Sequence, residues 1–155
     1  MSNLPSTKIY HCSIAVRGYE LDSFGHVNHS VYIQYLEHAR WKLLEDEGVK
    51  TSMFVPWSRW PIIAKVSATY IKPAYLGDEL DVQTHILEYG KANILFEQKI
   101  LRGHIVVLKA EVLVVIINEK GRPAEMPDMI KRFCVSDRET FDRKHPPAVA
   151  SEASS

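Results

Sequence analysis

A carboxylate, a glycine turn and the start of a helix fall close together in residues 16–40, VRGYELDSFGHVNHSVYIQYLEHAR. A helix N-terminus presents unpaired backbone N–H groups and partial positive charge. It can polarise an acyl carbonyl and hold the oxyanion that develops on attack. Asp22 lies seven residues before His29, the expected first helical residue. A folded-back loop brings its carboxylate beside that terminus, and Gly25 supplies the permissive backbone angles for the fold-back. Asp22 can then attack the carbonyl and form a mixed anhydride, or act as a base on water. The spacing alone leaves both open. It also leaves open that Asp22 only caps a turn, since Asp-x-x-Gly turns are common.

Other residues offer further chemistry. His26, His29 and His38 suggest a metal, but zinc needs several convergent ligands. His38 stands more than two helical turns beyond His29, so no metal is expected. The His29 side chain is either a hydrogen-bond donor to a substrate or an exposed histidine. Glu37 with Arg40 and Trp41 reads as an ion pair at i, i+3 on a solvated helix face, or as a group reaching the site or a protomer interface. Lys72, with Arg17 or Lys109, can meet phosphates; otherwise these are exposed cations. Ser67 and Thr69, on the strand face opposite Ala68, can orient a water. Tyr32 and Tyr35 suit a core, and the same residues suit a pocket wall.

The elements that must position these groups are legible from periodicity. Tyr10, Cys12, Ile14 and Val16 alternate with polar or small residues as a half-buried strand. Tyr32, Tyr35, Leu36, Ala39 and Leu43 lie on one face of a helix that starts near His29, with Asn28 as N-cap and Gly48 as stop. Residues 49–60 read as a connecting loop. Ile62, Ala64, Val66, Ala68 and Tyr70 share one face of the next strand, which Pro73 ends. Leu80 to Ile86, residues 92–101 and residues 105–117 give three more, joined by turns at Gly90-Lys91 and Gly103-His104. Val106, Leu108, Ala110, Val112, Val114 and Ile116 form the inner face of the last one. Asp128 to Phe133 reads as a short final helix. The tight turns require antiparallel pairing. One long helix must bury its apolar stripe, and the sheet is the only large apolar surface. The expected class is α+β, a curved antiparallel sheet of five or six strands wrapped around one long helix.

A chain of 155 residues favours one domain that folds without staples. The expected organisation is a flexible stretch at 1–7, a domain at 8–142 and a disordered tail at 143–155. Its 19 basic and 19 acidic residues cancel. No basic field exists to drive nucleic-acid binding, and little repulsion opposes self-association. Cys12 and Cys134 are too far apart to form a redox or metal motif, and free thiols suit a reducing compartment. No secretion signal and no run of ~18 apolar residues is evident. A cytoplasmic protein with no membrane span is expected.

The pattern Val16, Arg17, Asp22, Gly25, Val27, Asn28, Tyr32, Glu37, Ala39 and Arg40 resembles the 4-hydroxybenzoyl-CoA thioesterase-like branch of the hotdog superfamily. Residues 70–78, YIKPAYLGD, resemble that family's Y-x-x-P-A-x-x-G-D block, and Lys109-Ala110-Glu111-Val112 its last-strand motif. The resemblance spans roughly residues 9–135 and implies the same fold as the periodicity. It implies hydrolysis of an acyl thioester of coenzyme A or a carrier protein. Asp22 would be the catalytic carboxylate and the His29 backbone amide would polarise the carbonyl. Gly25, Val27, Asn28, Tyr32 and Lys72 would contact substrate. No cofactor is implied beyond the coenzyme A of the substrate. A homodimer or homotetramer with the pocket between protomers is expected. Some relatives carry a second acid just before the catalytic one; Glu20 and Leu21 occupy that stretch here. The wording around Asp22 also looks like the plant acyl-lipid thioesterases, which favours a fatty acyl or 3-oxoacyl group over an aromatic one. The competing readings are a hotdog enoyl-thioester hydratase and a non-catalytic acyl-CoA-binding module.

Overall fold

The computed structural model describes residues 4–147. Strand β1 (Tyr10–Ala15) is followed by a single helical turn at Gly18–Glu20 and the long helix α1 (His29–Asp46). A turn at Thr51–Met53 and a short helix α2 (Phe54–Trp57) lead to four strands: β2 (Trp60–Tyr70), β3 (Glu79–Tyr89), β4 (Asn93–Arg102) and β5 (Ile105–Ile117). Helices α3 (Asp128–Cys134) and α4 (Arg138–Lys144) close the chain. All five strands form one antiparallel sheet in the order β1-β3-β4-β5-β2, so β1 and β2 are its edges.

Helix α1 forms where its sequence requires. The Asn28 side chain accepts from the Ser30 amide at 2.9 Å. At the other end Gly48 takes a positive φ of 79°, and the Val49 amide returns to the Leu44 carbonyl at 2.8 Å, a glycine stop of the usual left-handed kind. Its buried stripe is Tyr32, Tyr35, Leu36, Ala39 and Leu43. The stripe packs on β1, β3 and β5 at one end and on α3 and β4 at the other. One polar residue ties helix to sheet. Gln98 of β4 is fully buried. Its amide donates to the Leu36 carbonyl (3.1 Å) and to Thr84 Oγ1 (2.8 Å), and its oxygen accepts from Arg40 Nη1 at 2.9 Å. The helix therefore sits in the concavity of a five-stranded curved sheet, as the periodicity and the resemblance both imply.

Three expectations need correction. Ile62 does not share a face with Val66 and Ala68, because a bulge at Ala64 shifts the β2–β5 register. Pro61 and Ile63 face inward before the bulge, and Ala68 after it. A second bulge at Val107 puts Val107 and Leu108 both inside and leaves Val106 outside the core. Such bulges sharpen twist and bend the sheet. The stretch 49–60 is not wholly loop, since α2 buries Phe54. The chain on either side of the sheet is tied to it. Pro5 bridges Val135, the Ser6 amide donates to Cys134 O at 2.8 Å, and α4 carries helix through Lys144. The rest of the expected tail, from 148, lies outside the described residues, as do residues 1–3.

Candidate active site

The loop between β1 and α1 folds back on itself as its glycine spacing requires. Leu21 bridges Val27, and the Asp22 amide donates to His26 O at 2.7 Å. Asp22 Oδ1 accepts from the amides of Phe24 (2.8 Å) and His26 (3.2 Å). Asp22 is thus a turn-capping residue, but with one oxygen only. Among the described residues nothing donates to Oδ2. Gly25 closes the turn at φ 79°, with no heavy atom within 4 Å of where a Cβ would stand. Its requirement is therefore conformational, not steric. Gly25→Val is expected to lose about 1–2 kcal/mol from left-handed strain and to slow turnover by misplacing Asp22. Thermal melting and steady-state rates check this; a variant matching wild type in both would sink the loop assignment.

The hairpin lays Glu20 and Leu21 against the residues that lead into α1. The Asn28 amide donates to Glu20 O, and Asn28 Oδ1 takes the Ser30 amide. The Val31 amide returns to Asn28 O. Of the first helical amides, that of His29 alone has no acceptor among the described residues. An uncommitted N–H at a helix N-terminus is a donor of the kind that can hold a developing oxyanion.

A second layer holds this corner in place. The Val27 amide donates to Ala74 O (3.0 Å), and the Ala74 amide donates to the buried Tyr32 hydroxyl (3.0 Å). Tyr70 donates to His29 O at 2.7 Å and meets Tyr32 edge-on at 5.5 Å. His26 meets Tyr75 edge-on at 5.2 Å. Burial raises the Tyr32 pKa, and the Asp22 charge adds to that rise. Beneath them Glu20 is buried, pinned by Arg17 Nη2 (2.9 Å) and the Tyr35 hydroxyl (2.9 Å). Burial pushes its pKa up, but these bonds outweigh it and hold the carboxyl below its ordinary range.

Asp22, Gly25, Val27, Asn28, His29 and Tyr32 therefore converge on one corner. Val27 and Tyr32 are buried braces there. Lys72 stands exposed two residues before Ala74, on the rim of the same corner, with no ion pair among the described residues. Arg17 is committed to Glu20. Lys109, Ser67 and Thr69 occupy the sheet face turned away from α1. Glu37 and Arg40 do not pair. Glu37 accepts from Trp41 Nε1 at 3.2 Å, while Arg40 turns inward to Gln98. Burial lowers the Arg40 pKa to about 10. Sequence reasoning missed Tyr70 as a brace on His29, and Glu20 as an anchor. The Arg17-x-x-Glu20 spacing, a capping-box pattern, was the signal for the latter.

One long helix cradled by a curved five-stranded antiparallel sheet defines the hotdog fold. A 1,4-dihydroxy-2-naphthoyl-CoA thioesterase from Synechocystis superposes with a TM-score of 0.76 at 17% identity, covering 81% of this chain and 95% of that one. At that identity the likeness speaks for the fold. Residues 16–134 match the family model of the thioesterase-like superfamily, and the chain belongs to that superfamily. The reaction class that goes with membership is thioester hydrolysis. Relatives include the acyl-CoA thioester hydrolase YbgC of Escherichia coli O157:H7, 28% identical over 127 residues, covering 81% of this chain and 95% of that protein. A chloroplastic acyl-acyl carrier protein thioesterase of Arabidopsis thaliana is also 28% identical over 127 residues, but the chain spans 67% of its length. Among the described residues no helix is long and apolar enough to cross a membrane.

Proposed function

We propose that this protein hydrolyses fatty acyl thioesters of coenzyme A, or of a carrier protein, to the free acid and the thiol. The observation that carries this is that, among the described residues, Asp22 Oδ2 and the His29 amide at the start of α1 are both without a partner. The amide receives the carbonyl oxygen as it becomes negative. Oδ2 either attacks the carbonyl carbon, expelling the thiolate and leaving an anhydride for water to open, or takes a proton from an attacking water. Both routes use the same oxygen and need no metal or cofactor. Gly25, Val27, Asn28 and Tyr32 shape the loop and helix start around the thioester, and Lys72 on the rim suits the phosphates of coenzyme A.

One further feature supports a long acyl chain. A largely apolar cavity of about 180 Å³ lies between α1 and the sheet, lined among others by Leu44, Ile63, Phe96, Val114 and Phe133, with Arg40 on its wall. Arg40 stands about 16 Å along the helix from His29 at 1.5 Å per residue. An extended chain advances about 1.2 Å per bond, so a tail of roughly a dozen carbons reaches it. Each methylene buried there contributes about 0.8 kcal/mol. The edge strand β2 exposes Ile62, Ile63 and Val66 beside unpaired backbone groups. A long apolar edge of this kind is a template for a second strand, so a homodimer joined through β2 accompanies the activity.

The test is free-thiol release from acetyl-, hexanoyl-, lauroyl-, palmitoyl-, 3-oxoacyl-, benzoyl- and hydroxybenzoyl-CoA. Release should rise with chain length and be weakest for acetyl. Loss of the crotonyl-CoA double bond without thiol release would instead mark a hydratase. Tight binding of acyl-CoA or acyl carrier protein with no release from either would mark a binding module. Either result overturns the proposal.

A further inference from the structure

The cavity between α1 and the sheet holds a charge that the chain leaves unanswered. Of the residues that line it only Glu37 and Arg40 are charged, and the rest of the wall is apolar. Arg40 is part-buried and held by one hydrogen bond, from Nη1 to Gln98 Oε1 at 2.9 Å. Among the described residues its Nε and Nη2 have no acceptor, and no carboxylate forms an ion pair with it. Among those residues, too, no side-chain nitrogen or oxygen is sealed in the interior without a partner. Nε and Nη2 therefore open onto the cavity. Glu37 is a poor counter-ion. It is exposed, where water and salt screen its charge, and its Oε1 is taken by Trp41 Nε1 at 3.2 Å. Burial lowers the Arg40 pKa by more than the Glu37 charge restores. A charge drawn out of water without a partner is costly.

The helix sets where that charge stands. His29, Ile33, Glu37, Arg40 and Leu44 fall at i, i+4, i+8, i+11 and i+15, one stripe of α1. At one end of the stripe is the uncommitted His29 amide. Ile33 packs against the core next, and Arg40 and Leu44 line the cavity at the other end. An acyl group whose carbonyl meets the His29 amide, and whose chain follows this stripe, brings its far end to Arg40. The rise of the helix makes that about 16 Å, which a chain of about a dozen carbons spans. The last carbon of the chain is then what meets the guanidinium. A terminal methyl covers Nε and Nη2 from water and leaves them unpaired. A terminal hydroxyl accepts a hydrogen bond but brings no charge. A terminal carboxylate accepts from two N–H groups of the planar guanidinium at once and supplies the missing counter-charge.

We propose that the acyl chain this protein prefers ends in a carboxylate: its substrate class is the monothioester of an α,ω-dicarboxylic acid of about twelve carbons, and Arg40 is the residue that selects it. The inference rests on the thioester-hydrolase reading, because Asp22 and His29 fix the other end of the chain. The reaction is unchanged. Water opens the thioester to the free diacid and the thiol, and Arg40 holds the distant carboxylate without touching the carbonyl.

Thiol release is compared for the CoA monothioester of dodecanedioic acid, for ω-hydroxylauroyl-CoA and for lauroyl-CoA. Wild type is expected to favour the diacid thioester over lauroyl-CoA by about tenfold or more in kcat/KM, the worth of one charge-assisted hydrogen bond, with the hydroxyl compound between them. Arg40→Met, similar in length and uncharged, should invert the order, and Arg40→Lys should keep part of the preference. Circular dichroism confirms folding. Binding of the free acids is read separately from turnover. Trp41 lines the cavity, so tryptophan emission reports its occupancy, and dodecanedioate should bind more tightly than laurate in wild type but not in Arg40→Met. Should Arg40→Met fail to fold because Gln98 loses its donor, the order of the ligands on wild type and on Arg40→Lys decides. Equal kcat/KM and equal binding across the ligands, or a diacid preference that Arg40→Met retains, overturns the proposal. Release from lauroyl-CoA without that preference would remove this inference and leave the hydrolase reading standing. Arg40-dependent binding of dodecanedioate with no thiol release from any thioester would remove the hydrolysis and keep the carboxylate site.

Discussion

Asp22→Ala is expected to lower the rate of acyl thioester hydrolysis by at least about a hundredfold while the chain stays folded, in keeping with the ~10²–10⁴ that a positioned acid or base contributes. That loss corresponds to about 2.7 kcal/mol of transition-state stabilisation. Alanine alone does not decide the matter, because Asp22 has two jobs. Its Oδ1 caps the loop through the Phe24 and His26 amides, and alanine removes that cap together with the free Oδ2. Asp22→Asn separates them. The amide oxygen can still accept from both backbone donors, so the turn persists, but the group can neither attack a carbonyl nor take a proton. Thiol release from the best acyl-CoA, with melting temperature measured alongside, should show Asn as inactive as Ala and closer to wild type in stability. An Asn variant that keeps most of its activity would reduce Asp22 to a turn residue and leave the reaction without a catalytic carboxylate.

The elements that position this corner were readable because each carries a local signal. Helix α1 starts at a capping asparagine and ends at a glycine with positive φ, and its stripe has a strict helical period. Strand β1 alternates cleanly, as does β3 up to Ile86, and so do their burial patterns. The loop was readable as a turn from Asp22 and Gly25. That the His29 amide is left over was not, since this depends on which acceptors Asn28 and Glu20 supply to its neighbours. Strand β2 misled for a related reason. An apolar strand reads the same whether both its faces are buried or it lies on an edge, and a bulge at Ala64 leaves no mark on composition. Helix α4 is polar for most of its length and buries only Phe141. Its one local sign was Asp137, which caps the Thr140 amide at 3.0 Å. The face of β4 and β5 shows the limit most plainly. Each strand alone alternates charges in the ordinary way, and only the register reveals that glutamate faces glutamate.

The largest stability effect is expected where no local signal exists at all. Glu47 at the C-terminal end of α1 accepts from Arg138 Nη1 (2.9 Å) and Nη2 (2.6 Å) of α4, 91 residues away, and from the Tyr10 hydroxyl of β1. Lys8 adds a contact at 3.3 Å. The Glu47 side chain is 6% exposed. Burial alone would push its pKa up. Its bonds to Arg138 and Tyr10 outweigh that and hold it at about 2. This one carboxylate thus joins the first strand, the end of the central helix and the last helix. Glu47→Gln keeps the shape but removes the charge, leaving a part-buried guanidinium without its counter-ion. Hydrogen bonds to charged groups contribute about 1.5–3 kcal/mol, so a loss of about 2 kcal/mol in urea unfolding at neutral pH is expected. The sign of the pH dependence follows from the depressed pKa. The stabilisation is complete above the ordinary glutamate value of 4.5 and fades as pH falls from there towards about 2. The stability gap between wild type and Glu47→Gln should therefore be widest near neutral pH and narrow steadily through that window. Arg138→Gln should give a loss of similar size, and the double variant should lose less than the two single losses added, because both remove one shared interaction. A gap that stays constant with pH, or strictly additive losses, would show that α4 is held to α1 by its packing through Phe141 rather than by this ion pair.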